Sequence, residues 1–150
     1  MTQRRVAVTG IGLVSPHGRD PRSAFEAMLR GESAIEQVAL EANRLAATTA
    51  AARVQLDPSA AMPRSQKVLT DRVSQLALLA AGDALRESAL DLAREDKSRI
   101  GVAVGTCMGG IASTESAYGS LFQDGRDRVS PFTLVKTMYN APAAHIALEH

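Results

Sequence analysis

Cysteine occurs once, at Cys107, in a chain of 150 residues. No intrachain disulfide can form, and no cysteine-based structural zinc site, so nothing demands an oxidising compartment. Tryptophan is missing, and the aromatics are two tyrosines and three phenylalanines. That weakens any role built on stacking against bases or sugars. Neither sign of charge is in excess: 17 basic against 16 acidic residues leave a net charge of +1. A general nucleic-acid binder would carry a basic surplus, so no nucleic-acid partner is expected. The longest mid-chain apolar run, Leu76 to Ala81, is far short of a membrane span. The opening Met1-Thr2-Gln3-Arg4-Arg5 leads into a short run before Gly10 and has no secretion-signal cleavage site. The expectation is a cytoplasmic protein without a membrane partner.

What is present suits one domain, or a piece of a larger one. Apolar residues make up 45% of the chain and charged residues 22%, enough of the first for a packed core. Val6-Ala7-Val8-Thr9, stopped by Gly10, reads as a buried strand. Glycine-rich turns follow at Gly10-Ile11-Gly12 and Ser15-Pro16-His17-Gly18. Asp20 before Pro21 predicts a helix carrying Phe25, Met28 and Leu29, with Gly31 as its stop. Residues 41–63 read as irregular connecting structure with a short strand near Val54. Val73, Leu76, Ala77, Leu79, Ala80, Ala84 and Leu85 recur at three- and four-residue spacing, predicting one long helix over 66–90. Arg99 to Gly105 reads as a second buried strand, and Ser113 to Phe122 as a helix. Ser130-Pro131 predicts a capped helix that Pro142 kinks or breaks. Strand, helices, strand, helices is an α/β order.

Four groups of residues could carry chemistry. Gly10 and Gly12 after a strand resemble part of a dinucleotide cradle, but Ser15 holds the third glycine position and Pro16 follows. A tight turn needing small residues fits better. Cys107, in Gly105-Thr106-Cys107-Met108-Gly109-Gly110, could be a nucleophile beside a helix start. It lacks an evident base, and a small half-buried apolar residue fits better. His17, His145 and His150 follow no metal-ligand spacing, so no metal is expected. Arg64, Lys67, Arg72, Arg126 and Arg128 read first as solvated surface.

Four segments resemble the β-ketoacyl-acyl-carrier-protein synthases, condensing enzymes of the thiolase superfamily. The first is Arg4 to Gly18, and the second is Asp71 to Leu78. The third is Arg99 to Gly105 with Gly109-Gly110, and the fourth is Ser130-Pro131-Phe132 with Asn140 and Ala144-His145. They follow the family's order and spacing, nearest the elongating dimeric type II enzymes. The resemblance implies a thiolase-like α/β fold in layers of helix and sheet, with residues 1–150 as the N-terminal part of its first half. It also implies a decarboxylative Claisen condensation of an acyl thioester with malonyl-carrier protein, without a cofactor.

The same resemblance places the catalytic cysteine, two histidines and a lysine beyond His150, so no catalytic residue is expected within 1–150. Cys107, Met108 and Ile111 fall on acyl-pocket positions, with Met108 as an apolar gate. Thr133 and Leu134 fall on positions reaching the partner subunit's pocket. Arg64, Lys67, Arg126 and Arg128 fall in regions that meet acyl carrier protein, whose acidic helix a basic patch would steer. A second ketosynthase-type subunit is the other implied partner. A chain-length factor, which shares this pattern without the nucleophile, is the alternative. Without the later strands, edges and apolar helix faces would lack partners, so the segment alone is expected to be unstable.

Overall fold

The computed structural model describes residues 5–42, 45–60 and 62–150, with the side chains of residues 40–47 outside that description. The resemblance segment that starts at Arg4 therefore begins one residue before the described chain. Six α-helices, a single-turn 3-10 helix (Lys97–Arg99) and one hairpin make up the described elements. The α-helices and strands are α1 (Pro21–Leu29), β1 (Glu36–Ala42), β2 (Leu45–Ala51), α2 (Arg64–Leu69), α3 (Arg72–Ser88), α4 (Ile111–Phe122), α5 (Thr133–Thr137) and α6 (Ala141–Glu149).

α1 forms as its sequence dictates. The Asp20 carboxylate accepts the Ser23 amide at 3.0 Å, Pro21 sits in the first turn, and Gly31 adopts φ +70 beyond the end. Ala24 and Ala27 are its buried residues. The long helix expected over 66–90 is two helices. Thr70, extended at φ −111 and ψ 139, separates α2 from α3. Asp71 accepts the Val73 amide at 3.0 Å as N-cap of α3, so the chain restarts a helix where periodicity alone reads a continuous one.

α3 packs against α6, and Leu78 and Ile146 are buried. Ala141, Pro142, Thr70, Asp71 and Ser74 are buried as well. The described core is thus small and centred on the α3–α6 pair. Pro142 stands in the first turn of α6, after Met138 in extended backbone has ended α5. Its missing N–H costs nothing there, so it starts a helix and does not kink one.

Two expectations about strands fail. Residues 5–14 and 100–105 belong to no strand among the described residues. An apolar β-branched run reports a segment suited to burial between neighbours, and these segments have none: Val6 is 94% exposed. A third difference is the hairpin, which lies where connecting structure was expected. β1 and β2 pair antiparallel, with Glu36 opposite Ala51 and Val38 opposite Thr49. Its alanine-rich strands lack the alternation that announces a half-buried strand. Val54 itself lies outside any strand.

Candidate functional site

The glycines at 10 and 12 serve packing. A Cβ on Gly10 would lie 2.2 Å from the Ala84 carbonyl oxygen, and one on Gly12 would lie 1.8 Å from that of Ala80. The first turn therefore lies directly on the backbone of α3, and no side chain fits between. The Ile11 amide donates to the Glu87 carboxylate. An amide already held by a protein carboxylate is not aimed at a pyrophosphate, so the small-residue turn is what the geometry supports.

The second glycine cluster does the same between two other elements. A Cβ on Gly110 would lie 2.1 Å from the Lys136 carbonyl oxygen. Gly109, at φ +55, would bring one to 2.8 Å from the carbonyl of Thr137. The turn 105–110 is thereby pressed onto the end of α5, and the Thr106 hydroxyl accepts the Gly109 amide at 3.1 Å. Two segments assigned to the acyl pocket are brought together this way.

Their side chains do not converge on one cavity. Cys107 is exposed, Met108 is 57% exposed and Leu134 is 70% exposed. Ile111 lines a shallow apolar groove on α4 with Tyr118 and Phe122, whose ring centroids lie 5.9 Å apart. Thr133 instead lines a polar cavity of about 350 Å³ with Asp71, Arg126, Arg128 and Lys136.

Asp71 organises that cavity. One carboxylate oxygen accepts the Val73 amide at 3.0 Å and the other accepts the Ser113 amide at 2.7 Å. A single buried carboxylate thus satisfies the amide ends of α3 and α4, the second of which has no side-chain cap of its own. The resemblance placed Asp71 on a helix without assigning it this role; Thr70-Asp71 within a periodic run was the available cap signal.

The basic residues divide. Arg126 and Arg128 share the polar cavity with Arg72, whose guanidinium donates to the Val54 and Leu56 carbonyls at 2.9 and 3.1 Å. Arg126 faces Asp124 at 4.0 Å and Arg128 faces Asp127 at 3.4 Å, both exposed pairs. Arg64 and Lys67 stand on α2, outside this cavity. Ser59 hydrogen bonds hold the Asp57 carboxyl below its usual range, with Lys67 and Arg72 adding smaller attraction.

His145 lies on α6 and His150 at its end, while His17 lies in the first turn region, so the three histidines are not gathered. Among the described residues, no three metal-ligating side chains stand together, and no helix is long and apolar enough to cross a membrane.

The chain is similar to known proteins. The family described as β-ketoacyl synthase, N-terminal domain, matches residues 3–150. The 3-oxoacyl-(acyl-carrier-protein) synthase 2 of Vibrio harveyi is 31% identical over 149 residues, covering 99% of this chain and 36% of the relative. Nodulation protein E of Rhizobium meliloti is 35% identical over 145 residues, covering 97% of this chain and 36% of the relative. A type II ketosynthase solved in complex with its acyl-carrier protein superposes with a TM-score of 0.76 at 22% identity, over 98% of this chain and 39% of that one. The ishigamide ketosynthase/chain length factor superposes with a TM-score of 0.76 at 19% identity, over 99% of this chain and 37% of that one. The structural likeness establishes the fold, thiolase-like α/β. The chain spans about a third of the length of the curated relatives it matches. It belongs to the β-ketoacyl synthase family, whose N-terminal domain its residues 3–150 match.

Proposed function

We propose that this sequence is the N-terminal segment of a β-ketoacyl-acyl-carrier-protein synthase acting in the cytoplasm on fatty-acid or polyketide chains. The observation that carries the reading is the family match over residues 3–150, joined to relatives of which this chain covers 36%. The reaction is a decarboxylative Claisen condensation. An acyl group is held on a cysteine as a thioester; malonyl-carrier protein loses carbon dioxide, and the resulting enolate carbon attacks that thioester carbonyl, breaking its C–S bond and releasing the cysteine thiolate. That cysteine belongs to polypeptide beyond position 150. Cys107 is a wall residue, and residues 1–150 alone are inactive.

In this reading Cys107, Met108 and Ile111 form one wall of an acyl channel, and Thr133 and Leu134 reach towards a second ketosynthase-type subunit. Support comes from the packing of the 105–110 turn onto α5, which sets those two segments side by side. The exposed Met108 gains its cover only from polypeptide facing it in the assembled enzyme. A flexible thioether suits a gate that must swing aside. Arg64, Lys67, Arg126 and Arg128 meet the acidic carrier.

A chain-length factor is the second reading, favoured by the fold match to a ketosynthase/chain length factor. Sequencing the reading frame past codon 150 separates the two. A cysteine in a Thr-Ala-Cys-type motif supports the synthase. Another residue at that place supports the chain-length factor and overturns the condensing role.

A further inference from the structure

The polar cavity between the starts of α3 and α4 and the stretch 126–136 has a one-sided lining. Arg72, Arg126, Arg128 and Lys136 bring four cations to it. Among the described residues, Asp71 is the one carboxylate in the lining, and its two oxygens are already held by the Val73 and Ser113 amides. Asp124 and Asp127 are not part of the lining; they face Arg126 and Arg128 at 4.0 and 3.4 Å in exposed pairs that solvent screens. Ser113, Ser120 and Thr133 add hydroxyl groups. Among the described residues, neither these three hydroxyls nor the Lys136 ammonium hydrogen bonds to another side chain or to the backbone. Positive charge and unengaged donors therefore gather in one recess whose single carboxylate is spent on the protein's own amides.

We infer that this cavity binds the phosphate group of a small phosphate ester. Two observations select that ligand. First, the donors come from three sides, from α4, from the stretch 126–128 and from α5. A tetrahedral group with three free oxygens accepts from all of them at once, whereas a carboxylate offers two oxygens in one plane. Second, the volume of about 350 Å³ falls in the range of small-ligand pockets, roughly 300–1,000 Å³, and leaves room for an organic group beside the anion. Arg72 is the least available of the four cations, because its guanidinium already donates to the Val54 and Leu56 carbonyls. Arg126, Arg128 and Lys136 hold the charge of the ligand, and the hydroxyls orient it. The inference goes beyond the condensing reading and does not depend on it.

Isothermal titration calorimetry on the complete enzyme tests the inference, with glycerol 1-phosphate as probe and inorganic phosphate, acetate and chloride compared at matched ionic strength. The expected result is one saturable site per copy of this segment for both phosphate compounds, with Kd about 1 mM or tighter. Acetate is expected to bind at least tenfold more weakly and chloride not at all. Lys136→Gln and Thr133→Val are each expected to weaken glycerol 1-phosphate at least threefold, while Lys136→Arg retains it. Circular dichroism confirms that each variant is folded, and Ser120→Ala replaces any that is not. The inference is overturned if neither phosphate compound saturates, or if both variants bind like the parent, which puts the anion elsewhere. Acetate binding as tightly as phosphate overturns it in favour of acidic side chains of a protein. Inorganic phosphate binding without glycerol 1-phosphate overturns the ester. No activity is read, so failure here leaves the condensing reading intact, and a reading frame without the nucleophile leaves this site intact.

Discussion

The carboxylate of Asp71 accepts the backbone amide of Ser113 at 2.7 Å across 42 residues of sequence, while its other oxygen caps its own helix. This one side chain ties the start of α3 to the start of α4. α4 follows directly on the 105–110 turn, so the same contact ties that turn to α3.

Replacing Asp71 by alanine removes both caps and leaves two half-buried amide ends without their protein acceptor. The expected loss is about 3 kcal/mol, from two hydrogen bonds to a charged acceptor. Urea unfolding followed by circular dichroism measures it. Asp71→Asn keeps acceptor capacity on one oxygen only and is expected to fall between the two.

The contacts of Gly12 and Gly82 make opposite predictions for the same substitution. A methyl at Gly12 meets the Ala80 carbonyl oxygen at 1.8 Å, whereas one at Gly82 meets nothing within 4 Å. Gly12→Ala separates the first turn from α3 and lowers the thermal midpoint steeply. Gly82→Ala, inside a helix, raises stability by about 0.5–1 kcal/mol. A thermal scan of both variants reads the contrast.

Much of this was legible in the residues. Asp20-Pro21 and Gly31 announce α1, and Ser113 to Phe122 fall within α4. The four spaced segments, with Gly10, Gly12, Gly109 and Gly110 among them, identify the family. The break between α2 and α3 was obscured because Thr70 and Asp71 interrupt a run whose apolar spacing continues on both sides. Val6–Thr9 and Arg99–Gly105 have the composition of strands and form none, for a physical reason: composition reports what a segment can pair with, and pairing needs a neighbour. The hairpin went unseen because alanine and threonine alternate too weakly to mark a face. Convergence of Arg126, Arg128 and Thr133 on the Asp71 cavity is a tertiary fact that no local pattern encodes.

Asp83 gives the chain an acid-sensitive contact. Partial burial pushes its carboxyl up, but Arg19 at 2.6 Å and Arg86 at 2.8 Å outweigh burial and hold it below its usual range. A carboxyl lowered on folding stabilises above its unfolded value and loses that contribution as pH falls through the folded one. Asp83→Asn is therefore expected to cost at most about 1 kcal/mol at neutral pH. The gap from the parent chain closes once the pH falls well below about 4. Chemical unfolding at a series of pH values checks the sign.

Arg126 and Arg128 provide a test of carrier docking in the complete enzyme. Charge reversal of both is expected to slow association with acyl carrier protein about tenfold at low salt and to flatten its salt dependence. Stopped-flow association rates at rising ionic strength report both effects. Unchanged rates would place docking elsewhere.

Residues 1–150 are proposed to shape and gate a thioester channel whose reactive sulphur lies in other polypeptide. The most direct test incubates the purified 150-residue chain with acyl- and malonyl-carrier protein. Intact-protein mass spectrometry then reads adducts, and released carbon dioxide is counted. The account predicts no acyl adduct on Cys107 and no decarboxylation above buffer. An acylated Cys107 accompanied by carbon dioxide release would contradict it.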